Sequence, residues 1–287
     1  MAFDYQALKK LTNDSFISGS ITGTDIGNEE ITNTEIASNT IEAAKFANDS
    51  VDLTATSVSG TLPVNKGGTN TTAGGNPFEI LMTNSANTSL SFRPYGIRGM
   101  SVYTGNGTWT RPSNVRYIWV QVQAGGGGAS GHGESGAAGG YSERILEVEN
   151  ANISSVAVTV GGGGGGTYYS NAGGNGAGSS FGPYLSAGGG HGANRHNQHN
   201  GGLSGNGSGG NLNLHMGSGG SHEQRSSGMG GSSFWGGPAP AGHPQGGHFS
   251  HNHQGHSAPG TGGTSGYFSG HRGSDGRPGI VVITEFY

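Results

Sequence analysis

The 287-residue chain contains no cysteine. That excludes a disulfide scaffold, a Cys-ligated zinc and an iron–sulfur cluster. Charge is scarce as well. Charged residues make up 10% of the chain, against about a quarter in an average soluble domain. The net charge of −4 gives no basic excess of the kind nucleic-acid binding needs, so no nucleic-acid partner is expected. Apolar residues reach only 30%, where roughly 45–50% is usual. No run is long and apolar enough for a membrane-spanning helix. No basic stretch followed by an apolar run opens the sequence, so no secretory signal is expected. Glycine fills the space these residues leave, at 62 positions. Such a composition predicts structure built from backbone rather than from a side-chain core.

Glycine is unevenly placed. Residues 1–120 hold 12 of the 62, and the other 50 fall in residues 125–279. All four Lys lie at or before Lys66, and 11 of the 12 His lie between His191 and His271. The chain therefore changes character from an N-terminal part, through a short β-like middle, to a Gly/His-rich distal part.

The N-terminal part repeats. Large apolar residues stand at Leu11, Phe16, Ile21, Ile26, Ile31, Ile36, Ile41, Phe46 and Val51, five residues apart throughout. Five is neither the helical nor the strand period. Each unit is too short to bury its own apolar residue, so stacking or partner chains must do so. A single-chain quadrilateral β-helix would want small inward residues where Glu29, Asn39 and Asp49 stand. A thin homotrimeric stalk is the preferred reading, with a disordered linker as the plain alternative.

Downstream, EILMTNSANTSLSF reads as two apolar runs across a turn, a hairpin pattern. In VRYIWVQVQA, strand alternation places Val115, Tyr117, Trp119 and Gln121 on one side and Arg116, Ile118, Val120 and Val122 on the other. ERILEV (143–148), SSVAVTV (154–160) and IVVITEFY (280–287) are further β-branched or aromatic runs bounded by Gly and Pro. These clusters flank the glycine region and predict one small sheet, with the glycine segments as excursions from it.

The tracts AGGGGASG (124–131), GGGGGG (161–166), AGGNGAG (172–178), AGGG (187–190), GGLSGNGSGGN (201–211) and MGG (229–231) are short and recurrent. Strict Gly-X-Y is absent, which excludes collagen. A flexible linker would not interleave so many aromatic residues. No GxxxxGK[ST] occurs, and GxGxxG is uninformative where glycine is this dense. Packed polyproline-II-type helices, brought close by the missing Cβ, fit these tracts best.

The stretch GNGTWTRPSNVRYIWVQVQAGGGG, followed by YSERILEV, VAVTVGGGGGG, AGGNGAGSSFG, LSAGGG and GRPGIVVITEFY, resembles the glycine-rich domain of phage tail fibres and adhesins. The repeat and TLPVNKGGTN are similar to the decapeptide stalks and connectors of phage fibres. The resemblance covers about residues 20–287. It implies a mostly β and irregular fold: an elongated, homotrimeric fibre with a repeat stalk and a small β base. Polyglycine-II-like helices would be packed on that base. The implied arrangement is a virion-attachment segment at 1–20, the stalk at 21–60, a connector and β-hairpin at 61–99, and a distal adhesin domain at 100–287. The implied role is binding a bacterial surface receptor, a polysaccharide or an outer-membrane protein, during adsorption. The protein would sit in the virion after assembly in the host cytoplasm, held by a tail or other virion protein. A virion decoration protein without a receptor role is the alternative.

Candidate binding residues are the aromatic pairs Tyr168–Tyr169, Phe234–Trp235 and Tyr267–Phe268, since aromatic rings stack on sugar faces. They could equally cover the edges of the glycine region. Arg195, His196 and His199 sit in HGANRHNQHN, where a guanidinium could engage phosphate or carboxylate; a solvated loop is the plain reading. In HFSHNHQGH, His251 and His253 form His-x-His, whose imidazoles share one side of an extended chain. Three such pairs on a trimer axis would offer six nitrogens. The resemblance to some fibre tips makes iron or another divalent metal the candidate ion, and an exposed polar loop is the alternative. No catalytic arrangement is expected. Glu134, Glu143, Glu223 and Asp275 are scattered acids, and no G-x-S-x-G elbow occurs.

Overall fold

The computed structural model describes Thr24, Asn76 and residues 79–83, 90–169, 171–194, 201–221, 228–238, 257–266 and 272–287. The chain divides into two compact units, Met1–Thr61 and Leu62–Tyr287. All described strands belong to the second, and no helix occurs among the described residues. The unit is all-β with extended tracts between its strands.

Strands β1 (Glu79–Thr83) and β2 (Leu90–Pro94) pair antiparallel from Glu79↔Pro94 to Thr83↔Leu90, as the two apolar runs predict. After a left-handed Gly96 (φ 99°) the chain enters β3 (Ile97–Tyr103) and then β4 (Gly107–Thr110). The long strands β5 (Tyr117–Gln123), β6 (Tyr141–Glu147), β7 (Ser155–Thr159) and β12 (Ile280–Phe286) match the β-branched runs of the sequence. Four short strands lie between them: β8 (Ser179–Phe181), β9 (Leu185–Ala187), β10 (Gly207–Ser208) and β11 (Leu212–Leu214).

These strands form two five-stranded sheets, β11-β6-β5-β12-β3 and β10-β9-β8-β7-β4, rather than the single sheet the sequence predicts. The chain changes sheet between β3 and β4. The second sheet is built largely from strands of two or three residues that carry no periodic signal. The sheets pack face to face around Trp109, Ile118, Val120, Val122, Val158, Phe181, Val281 and Ile283, all buried. Trp109 meets Phe181 with ring centroids 5.9 Å apart. A carboxylate is set into this core at Glu285. It accepts from Trp109 Nε1 at 3.0 Å, Arg98 Nη1 at 2.7 Å and Ser101 Oγ at 3.2 Å. A buried charge persists only with such partners.

Beyond the sheets, backbone replaces side chain as the cohesive element. From β5 the chain runs straight into tract 124–131, whose hydrogen bonds rotate with a period of three. Ala124 and Gly127 donate to Gly140 and Ala137; Gly125 and Gly128 to Ala177 and Gly174; Gly126 and Ala129 to Arg277 and Ser274. Each partner number falls by three as the donor rises by three, so these neighbours are antiparallel. The carbonyls serve three parallel neighbours. Gly125 and Gly128 accept from Gly190 and Ala193, Gly126 and Ala129 from Gly164 and Thr167, Gly127 and Ser130 from Gly263 and Gly266. One tract is thus hydrogen-bonded to six others.

Tract 134–140 likewise has six neighbours: 124–131, 187–193, 201–206, 215–220, 228–233 and 258–266. Residues 124–140 are all buried except His132. The remaining eight tracts close a ring around this pair in chain order: 161–167, 172–178, 187–193, 201–206, 215–220, 228–233, 258–266 and 273–279. The last bonds back to the first through Gly276 N–H and the Gly164 carbonyl, 2.8 Å. The chain lays down its two interior tracts first and then winds once around them.

Glycine is required where tracts meet. A Cβ at Gly127 would collide with the His191 carbonyl, and one at Gly136 with the Gly127 carbonyl. In the outer tract 161–166 the same period of three returns. Gly161, Gly163, Gly164 and Gly166 face backbone carbonyls, whereas a Cβ at Gly162 would meet nothing within 4 Å.

Candidate functional site

The tracts alternate in direction, so their connections gather at two ends. One end carries the sheets. At the other, segments 132–133 and 168–171 join successive tracts, and the described tracts break off at 194, 221 and 266 to resume at 201, 228 and 272. An extended chain rises about 3 Å per residue, so the ends are roughly 20 Å apart along tract 124–131.

Tyr168 and Tyr169 lie at the end remote from the sheets. The two residues are 48% and 58% exposed, with ring centroids 6.4 Å apart. Tyr169 holds a left-handed backbone (φ 57°), fixed by the bond from Gly131 N–H to its carbonyl at 3.0 Å. Tyr168 bridges to Arg272. The Arg272 Nη2 donates to Asp275 Oδ1 at 2.6 Å, and the Gly166 N–H donates to the same oxygen at 2.6 Å. Asp275, a scattered acid in the sequence, thus ties the tract 161–167 to its neighbour and holds the guanidinium of the residue whose backbone bridges to Tyr168. Glu134, also at this end, is wholly buried and accepts from Ser130 Oγ at 3.0 Å. The two exposed phenols are able to stack on sugar rings and to donate hydrogen bonds.

Phe234 and Trp235 lie elsewhere. The turn Ser233–Gly236 that carries them is at the sheet end, where the Phe234 N–H donates to Gln123 Oε1 at 3.3 Å. The Phe234 ring stacks on Tyr141 at 4.0 Å and 10°, and Trp235 meets it edge-on at 5.6 Å. The sequence groups the aromatic pairs as equivalent loop tips; the structure puts these two pairs at opposite ends of the tracts. Beneath Phe234, the Tyr141 hydroxyl donates to Glu143 at 2.6 Å and accepts from Gln121 Nε2 at 2.7 Å. Burial, and then the Glu143 carboxylate, push the Tyr141 pKa upward. Burial, followed by Glu285, does the same to Tyr103.

Arg195, His196, His199, Tyr267, Phe268, His251 and His253 lie outside the described residues. The residues flanking the first three and the next two are at the end remote from the sheets. The residues flanking the histidine-rich segment are at the sheet end, where Ala258 N–H donates to Gly237 at 3.2 Å. Among the described residues no group of three or more His, Asp or Glu is placed to hold a metal.

A cleft of about 1040 Å³ opens between the β1–β2 hairpin and the end of the sheet, lined among others by Arg93, Arg116, Tyr117, Glu149 and Tyr287. Arg116 Nε lies 3.5 Å from Glu147 and 3.9 Å from Glu149, and its guanidinium sits 5.2 Å above the Tyr117 ring.

No curated protein matches the chain. Residues 101–285 match the glycine-rich domain family over β3 to β12, the span that holds both sheets and every tract. With more than half its length inside that match, the chain belongs to the glycine-rich domain family.

Proposed function

We propose that the protein is a phage tail fibre that binds a bacterial surface receptor during adsorption, by contact rather than by catalysis. Its ten tracts are read as polyglycine-II-like helices, because their hydrogen bonds rotate every three residues. The observation that carries the reading is the division of labour between the two ends of these tracts. At interior contacts such as Gly127 and Gly136 a Cβ would collide with backbone, whereas the remote end bears Tyr168, Tyr169 and the flanks of the Arg195–His199 and Tyr267–Phe268 segments. Binding residues commonly sit on loops held by such a rigid frame. The ligand class is a surface polysaccharide or an outer-membrane protein. Residues 1–20 attach to the virion, and the five-residue repeat forms a homotrimeric stalk. Several copies per particle would convert weak contacts into lasting adhesion.

The test is an adsorption competition. Host cells are preincubated with the purified full chain, challenged with phage, and free particles counted. Blocking that disappears with Tyr168→Ala/Tyr169→Ala supports receptor binding at the remote end. Failure of a folded, oligomeric chain to block would favour a decoration protein.

A further inference from the structure

The cleft between the β1–β2 hairpin and the end of the sheet has no part in the receptor reading. Its frame is short and held. Two residues, Tyr95 and Gly96, join β2 to β3, and the Tyr287 N–H donates to the Gly96 carbonyl at 3.1 Å. Gly96 takes a left-handed φ of 99°, which glycine adopts without steric cost. The volume of about 1040 Å³ is at the upper end of the roughly 300–1,000 Å³ of small-ligand sites, which suits a short oligomer.

The lining narrows the ligand class. Tyr95, Tyr117 and Phe286 supply aromatic surface, and Tyr95 is 67% exposed. Two arginines, Arg93 and Arg116, stand with two glutamates, Glu79 and Glu149, so the lining side chains carry no net formal charge. Arg116 is steadied by Glu147 at 3.5 Å and by the Tyr117 ring. Arginine donates, glutamate accepts, and the exposed Asn114 carboxamide does both. A simple anion or cation would meet as much repulsion as attraction on such a wall. A wholly apolar ligand would take water from these polar groups and return no hydrogen bonds. A ligand with apolar ring faces and with groups that both donate and accept matches every component.

We propose that this cleft binds an uncharged oligosaccharide. Its sugar faces stack on the aromatic lining. Its hydroxyl groups donate to the glutamates, accept from the arginines and exchange both kinds of bond with Asn114. The site is separate from the remote end of the tracts, so either can fail without the other.

The full chain tests this by saturation-transfer NMR against neutral hexose, N-acetylhexosamine and deoxyhexose oligomers, with uronic-acid oligomers for comparison. Calorimetry then gives the affinity of the neutral oligomer that binds. Tyr95→Ala removes an exposed ring. Asn114→Gly removes the carboxamide at a left-handed position (φ 64°) where glycine fits, so the fold is kept. Each should weaken binding about tenfold with an unchanged unfolding midpoint, whereas Tyr168→Ala/Tyr169→Ala should leave the affinity as it is. Binding that requires an acidic sugar, no binding to any neutral oligomer, or an affinity indifferent to both cleft variants would overturn the proposal. So would binding lost only with the Tyr168 and Tyr169 changes, which would put the sugar at the remote end. Adsorption blocked through the remote end with no sugar in the cleft removes this site and leaves the receptor reading. Sugar bound in the cleft by a chain that blocks no adsorption does the reverse.

Discussion

The two halves of the described unit solve one problem in opposite ways. In the sheets, Trp109, Phe181 and the Val/Ile positions of β5 and β12 leave water together, and apolar burial supplies the cohesion. In the tracts the buried residues are Gly, Ala, Ser and Thr, with Glu134 the one charged exception among the described residues, and there is little apolar surface to hide. There the gain is one backbone hydrogen bond per residue, each worth about 1 kcal/mol net, set against the larger entropy that glycine loses on ordering. Side-chain cores fail by cavity; a backbone lattice fails by insertion. Size is therefore the variable that separates the two, and substitutions of opposite sense test each.

The largest effect is expected on the sheet side. Trp109→Ala removes a fully buried ring and one donor to Glu285, and should cost about 4 kcal/mol in thermal or denaturant unfolding. On the lattice side the damaging change is an added methyl. Gly127→Ala sets a Cβ against the His191 carbonyl, inside a tract with six neighbours. A loss of about 3 kcal/mol is expected; unchanged stability would refute the packing. Tyr141→Phe removes two buried hydrogen bonds while keeping the ring under Phe234, for about 1 kcal/mol.

The same tyrosine gives a pH dependence. Its pKa is raised in the folded state, so between about pH 10, where an unfolded tyrosine titrates, and that raised value the folded chain binds more protons. Its contribution is fully present below pH 10 and is lost as pH climbs beyond it. Thermal midpoints should fall above pH 10, less steeply in Tyr141→Phe. The smallest effect sharpens the comparison most. Gly162→Ala points its methyl into open space and should be neutral or stabilising by about 0.5 kcal/mol, whereas Gly164→Ala, two residues on, should destabilise. Equal outcomes at 162 and 164 would contradict the period of three.

Legibility in the sequence follows the same divide. β5, β6, β7 and β12 announce themselves through β-branched residues, and EILMT and LSFRP through their spacing across a turn. β8 to β11 are too short and too rich in Ser, Gly and Asn to show a pattern, so the second sheet is invisible beforehand. The tracts are legible as tracts, but not their neighbours, because glycine offers no side chain whose pattern could encode who packs on whom. The same holds at the candidate surface. Tyr168–Tyr169 and Phe234–Trp235 look alike in sequence, and only the direction of the tracts separates them. Arg272 gains a role from Asp275, which no spacing rule would have joined to Gly166.

The order in which the tracts are laid down has a kinetic consequence. Gly126 finds its partner at Arg277, and β5 pairs with β12, whose residues are made after every other described strand. The interior is therefore synthesised long before the groups that satisfy it. Until tract 273–279 reaches 161–167 and β12 slots between β5 and β3, neither the ring nor the sheet can close. Contacts of such long sequence separation make for slow, late and concerted folding. A ribosome releasing this chain early would yield a glycine-rich coil rather than a shortened version of the fold.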